Sequence, residues 1–156
     1  MLVLGIGNLV MSDDGVGVKV VQKLQREYQL PEYVDIMDGG TLGLDILPRL
    51  ECIERLIVVD AVQTGGIPGT VVRLAGDDIQ LALETKVSPH QMGLRDLLTV
   101  SALMGHAPRE MVLVGVQPGS LAMGTELTPE VEAKVDSLMQ NVLYELNSWG
   151  IYPASA

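Results

Sequence analysis

The segment Gly5-Ile6-Gly7-Asn8-Leu9-Val10-Met11-Ser12-Asp13-Asp14-Gly15-Val16-Gly17 joins an apolar run to a helical pattern through a loop that ends in two adjacent carboxylates. Glycines between a strand and a helix commonly serve a dinucleotide, whose pyrophosphate rests on bare N–H groups at the helix start. Here the G-x-G-x-x-G pattern is incomplete because position 10 is Val, and Asp13 and Asp14 put negative charge where the phosphates would lie. A cation is the better guest. Asp38 stands before Gly39-Gly40, and Asp60 closes the run Ile57-Val58-Val59. His90, in Ser88-Pro89-His90-Gln91, falls in the first turn of a predicted helix, where the dipole disfavours imidazolium and keeps the ring neutral, as a metal ligand must be.

Each of these residues also has a plainer use. Asp13 and Asp14 are suited to capping the first helix and complementing its dipole. Asp60 could hydrogen-bond loop amides at a strand end, and Asp38 could close an Asx-turn whose glycines serve a tight bend. His90 could be an exposed helix-start residue. His106, in Gly105-His106-Ala107-Pro108, reads as a surface residue after a helix C-cap.

The elements that must position these groups are legible as periodicity. Leu2 to Ile6, Arg55 to Asp60 and Met111 to Val116 are short continuous apolar runs, the pattern of strands buried on both faces. Tyr33 to Met37 and Thr70 to Leu74 are weaker strand candidates. Val16, Val20, Val21, Leu24 and Tyr28 recur at helical spacing and predict a crossover helix after the first strand. Thr128-Pro129-Glu130 reads as an N-cap with Pro at the first helical position, opening a helix through Val131, Val135, Leu138, Val142, Leu146 and Trp149 up to Gly150. Ser88 to Gln91 reads as a capping box leading into Leu94, Leu97 and Leu98. Gly65 to Gly69 and Gly119 to Thr128 are loops placed where a lid could be, the second a flexible one.

Alternating strands and helices predict an α/β fold: a twisted, mostly parallel, mixed five-stranded sheet with helices on both faces. The short connection around Gly65 to Gly69 would leave one strand antiparallel. Ligands bind outside the carboxyl ends of strands in such sheets. Asp14 follows the first strand, while Asp38 and Asp60 end the second and third, so all three carboxylates fall on that edge.

Bulk properties narrow the partners. At 156 residues with 47% hydrophobic content, the chain suits one domain over residues 1–156. With no Phe and 3% aromatic residues, aromatic base-stacking platforms are not expected. A formal net charge of −10 opposes nucleic acid and anionic membrane as partners, since both require a basic face. No apolar run approaches the roughly 20 residues of a membrane span, and a cytoplasmic location is expected. Cys52, the single cysteine, allows neither a disulfide framework nor a thiolate cluster and reads as a small buried apolar residue.

Four blocks in order, Gly5-Ile6-Gly7-Asn8 with its acidic pair, Asp38-Gly39-Gly40-Thr41, Ile57-Val58-Val59-Asp60-Ala61 and Ser88-Pro89-His90-Gln91, resemble those of the hydrogenase maturation endopeptidases. Those enzymes trim the C-terminal tail from the large-subunit precursor of nickel-iron hydrogenases. The resemblance implies Asp14, Asp60 and His90 as metal-binding positions, with Asp14 a shorter version of a residue often Glu in relatives. It implies Asp38 as a further functional carboxylate, a candidate catalytic residue. Two carboxylates and an imidazole form a borderline ligand set suited to nickel, with other divalent ions able to substitute. The implied nickel is carried by the precursor, which is the expected partner, and the protease is expected to act as a monomer. There is no H-E-x-x-H pair and no G-x-S-x-G turn, so the usual metalloprotease and serine hydrolase readings fail. Two rivals remain: a non-catalytic nickel-binding assembly module and a nucleotide-handling α/β enzyme.

Overall fold

A computed structural model of the chain describes residues 1–40, 47–84 and 98–156. Its strands are β1 (Leu2–Ile6), β2 (Tyr28–Gln29), β3 (Asp35–Gly40), β4 (Arg55–Ala61), β5 (Val71–Ala75), β6 (Glu110–Val116) and β7 (Ala154–Ser155). Its helices are α1 (Val16–Glu27), α2 (Leu47–Leu50), α3 (Asp77–Glu84), α4 (described over residues 98–103), α5 (Pro129–Glu132) and α6 (Val135–Ser148). The main sheet has five strands in the order β3-β1-β4-β6-β5, all parallel except β5, which runs antiparallel to β6. This is the mixed α/β architecture that the alternation of patterns implies.

The central strands are apolar on both faces because both faces are covered. On one side Val3, Ile57, Val59, Val112 and Val114 pack with Val16, Val20, Val21 and Leu24 of α1 and with Leu138, Val142 and Leu146 of α6. On the other side Leu2, Leu4, Leu56, Val58 and Leu113 meet Leu50 of α2, Ile79 of α3 and Leu98 of α4. Each fully buried side chain of this kind stabilises the fold by about 1.5–3 kcal/mol before chain entropy is counted.

The structure departs from expectation in several places. β3 starts later than Tyr33 and runs on through Asp38 to Gly40, so Asp38 lies inside the strand, paired in register with Gly5, where an end position was expected. The apolar pattern stops at Met37, but the ladder continues past it with a register shift between Gly5 and Ile6. The predicted final helix is interrupted at Ala133 and Lys134 into α5 and α6, although its apolar stripe runs through without a break. It ends as expected at Gly150, which has φ +81° and donates to Asn147 O, while Ile151 N–H donates to Leu146 O. Helix α3 was not foreseen. Its signal is Gly76 followed by two acidic residues in the first turn, Asp77 and Asp78. A second antiparallel sheet, β2 with β7, pairs two segments distant in sequence. The helix start expected at Ser88 to Gln91 lies outside the described residues.

Candidate active site

At the carboxyl edge of the sheet, β1 leads into a tight loop and a 3-10 turn, Ser12–Gly15, which feeds directly into α1. Gly7 has φ +138°, and a Cβ there would stand 1.8 Å from Asp14 O, so only glycine allows the loop to fold back on its own acidic pair. Gly17 presses α1 onto the strand ends: a Cβ would stand 2.1 Å from Val59 O and 2.6 Å from Ile6 O. The turn carrying Asp14 is thereby held against the ends of β1 and β4, where Asp60 lies. Both carboxylates are buried, Asp14 at 4% exposure and Asp60 at 0%. Asp14 Oδ2 accepts Asn8 N–H at 3.1 Å, and Asp60 Oδ1 accepts Ala61 N–H at 2.8 Å.

Asp38 differs from these two. It is exposed, and it lies level with Gly5 and two positions beyond Ile36, whose side chain packs on the α1 face. Asp60 alternates with Val59 and Ala61 of that same face, so it points to the opposite side of the sheet. The carboxyl edge thus carries all three carboxylates, with Asp38 and Asp60 on different faces. His90 lies outside the described residues. Among the described residues, no three His, Cys, Asp or Glu side chains form a group able to hold a metal ion.

Asp13 has a role that its sequence context does not announce. The expectation that it caps α1 is not met, since the N-cap of α1 is Gly15 and receives no side-chain hydrogen bond. The fully buried Asp13 instead reaches across the edge. Its Oδ2 accepts from Gly119 N–H at 2.7 Å, Ser120 N–H at 3.0 Å and the Thr128 hydroxyl at 2.7 Å, and its Oδ1 accepts from Thr128 N–H at 2.7 Å. Burial alone would raise the pKa of Asp13, but these bonds to Thr128, Ser120 and Gly119 outweigh it and hold the carboxyl below its ordinary 3.8. Thr128, expected to cap the next helix through its side chain, spends its hydroxyl on Asp13.

The two loops are laced together further by Ser12 N–H to Gly124 O at 2.8 Å, Gly124 N–H to Val10 O at 2.9 Å, and the Ser12 hydroxyl to Ala122 O at 2.6 Å. Ser12 adopts φ +52°, an unusual conformation for a residue other than glycine, within this lacing. The segment Gly119 to Thr128, expected to be a flexible loop placed where a lid could be, is therefore fastened to the rim. Gln117, buried at 8%, was also missed: its Oε1 accepts from Thr64 N–H at 2.6 Å and its Nε2 donates to Gln63 Oε1 at 2.9 Å, which ties the Gly65 loop to the same edge. Cys52, expected to be buried, is exposed, as is His106, which follows Gly105 as anticipated.

The first loop has little left to offer a phosphate. The amides of Asn8, Val10, Met11, Ser12, Asp13 and Asp14 all donate within the protein. A sequence model of the HycI family, described as hydrogenase maturation protease, matches residues 18–145. The hydrogenase 2 maturation protease of Escherichia coli (strain K12) is 40% identical over 152 residues, covering 97% of this chain and 93% of its own. The chain belongs to the hydrogenase maturation protease family.

This hydrogenase maturation protease is also similar to the hydrogenase expression/formation protein HupD of Rhodobacter capsulatus, with 42% identity over 153 residues, covering 97% of this chain and 73% of the relative. Its fold matches the solved structure of the hydrogenase maturating endopeptidase HybD from Escherichia coli with a TM-score of 0.95 at 38% identity, covering 99% and 96% of the two chains. The protein is accordingly a peptidase. No described helix of this hydrogenase maturation protease is long and apolar enough to cross a membrane.

Proposed function

We propose that this protease removes the C-terminal extension of the large-subunit precursor of a nickel-iron hydrogenase after nickel has been inserted, and that Asp14, Asp60 and His90 recognise the ion the precursor carries. The observation that supports this most is the burial of two carboxylates, Asp14 and Asp60, at the carboxyl edge of the sheet, in a fold whose relatives are named as hydrogenase maturation proteases. Buried carboxylates persist where hydrogen bonds or a cation offset their desolvation, and edges of this kind are where such folds bind ligands.

The donor set fits the ion. Two carboxylate oxygens and one imidazole suit a borderline divalent metal and leave coordination positions for the precursor's own ligands. Nickel belongs to the substrate in this reading, and it would polarise groups bound to it and fix the register of the polypeptide. The chain itself supplies the carboxylates: Asp14 is oriented by the Asn8 amide and Asp60 by the Ala61 amide. Asp38, exposed on the neighbouring strand, is the candidate general base for the attacking water.

The test is to incubate the protein with nickel-loaded precursor and weigh the product. Loss of the mass of the C-terminal extension, with a single new C-terminus, is expected. Stable binding without any mass change would instead assign the protein to assembly without proteolysis.

A further inference from the structure

The rim beside the two buried carboxylates is apolar, exposed and rigidly held. Val10 is 51% exposed, Met123 86%, Leu9 36% and Leu121 38%. These four side chains come from two loops that the hydrogen bonds of Ser12, Asp13 and Gly124 lock together, with a parallel bridge between Met11 and Gly124. A Cβ on Gly15 would stand 3.2 Å from Leu9 Cδ2, so this side chain lies over the residue that directly follows Asp14. Single apolar residues on a surface need no explanation, but a group of them fixed in place next to a site does. Residues 8–11 and 119–124, which carry these side chains, contain no Asp, Glu, Lys or Arg, and the charges that border them are the buried Asp13 and Asp14, the exposed Glu126, and Lys19, whose Nζ donates to Thr125 O at 2.8 Å.

We propose that Leu9, Val10, Leu121 and Met123 form the docking surface for an apolar, uncharged stretch of the precursor polypeptide flanking the bond that is cut. This rests on the function proposed above. Four apolar side chains on loop segments that carry no charge of their own match a neutral apolar segment, which would gain from losing contact with water. Methionine adds an adaptable contact, since its unbranched, polarisable side chain repacks against irregular surfaces. The lacing keeps the surface ordered before the substrate arrives, which lowers the entropy lost on binding. Asp13 is a positioning residue here: it touches no substrate and fixes the loop that carries Leu121 and Met123.

The experiment is steady-state cleavage of nickel-loaded precursor by the wild-type protein, by the double variant Val10→Ser/Met123→Ser, and by Leu103→Ser, which alters an exposed leucine in α4. Both altered rim side chains are exposed, so the fold should be unchanged by circular dichroism. The double variant is expected to raise KM by about tenfold or more while kcat stays within about twofold, because only uniform binding is removed. Leu103→Ser should match the wild type. If the wild type cuts and the double variant retains the wild-type KM, the docking surface is wrong; if the wild type does not cut, the proposed function itself is wrong.

Discussion

Replacing Asp13 by Asn isolates the clasp that closes the rim. The change keeps the shape of the side chain but removes its charge and one of its two acceptor oxygens. In the best orientation the amide oxygen retains the three donors now on Oδ2, namely Gly119 N–H, Ser120 N–H and the Thr128 hydroxyl, while its NH2 faces Thr128 N–H. One donor is then left without an acceptor, at about 1–3 kcal/mol, and three charge-assisted bonds become neutral ones, losing up to about 1 kcal/mol each. Relief from burying a charge offsets part of this, so Asp13→Asn should destabilise the protein by about 2–4 kcal/mol at neutral pH, a large share of the roughly 5–15 kcal/mol typical of a domain. Urea denaturation at a series of pH values measures it. Because the folded-state pKa of Asp13 lies below the ordinary 3.8, its ionised form contributes stability that is fully present above that value and is lost as pH falls through the folded pKa. The gap between wild type and variant should therefore hold between pH 7 and about 5 and shrink in stronger acid. A gap under about 0.5 kcal/mol at neutral pH, or one of constant size into strong acid, would refute the clasp.

Asp14→Asn, Asp60→Asn and His90→Ala should each stay folded yet lose most precursor processing, about a hundredfold or more; normal processing by all three, with unchanged circular dichroism, would remove them from the site. Gly17→Ala should destabilise the protein by about 3 kcal/mol or more and depress processing with it, because the new methyl would collide with Val59 O and Ile6 O; a thermal midpoint equal to wild type would contradict that packing. Cys52→Ser should leave both stability and cleavage unchanged, since Cys52 is exposed and the proposed site does not use it. A folded but inactive Cys52→Ser protein would overturn this.

What could be read from the chain, and what could not, divides by distance along the sequence. The runs Leu2 to Ile6 and Arg55 to Asp60 announce buried central strands because residues packed on both faces must all be apolar, and Val16 to Leu24 announces α1 through its one-sided stripe. The third strand is misplaced by pattern alone because β3 ends in Asp38-Gly39-Gly40, where backbone pairing with β1 persists after the apolar side chains stop. The break between α5 and α6 leaves no Gly or Pro inside the stripe to mark it. The bonds from Asp13 span 106, 107 and 115 residues, so its local context, an acidic residue just before a helix, points to a cap and gives no sign of the clasp. Cys52 departs from the common burial of free cysteine on which its expectation rests: it lies in the turn after α2, where Leu50 and Ile53 on either side pack into the core and Cys52 stays exposed. Asp14 and Asp60 were legible as a pair because strand ends in a parallel sheet share one edge whatever their separation in sequence.

The role of nickel is open to a direct measurement: the initial rate of cleavage by metal-free protease of two precursor preparations, one loaded with nickel and one without, alongside the metal content of the protease before and after. A site with two carboxylates and one imidazole is incomplete by itself and gains affinity only when the precursor's ligands share the ion. The isolated protease should carry little metal, cut the loaded precursor, and leave the nickel-free form intact. One tightly held ion per protease chain, with both precursors cut at the same rate, would make the metal a resident catalytic group and contradict recognition through the substrate's nickel.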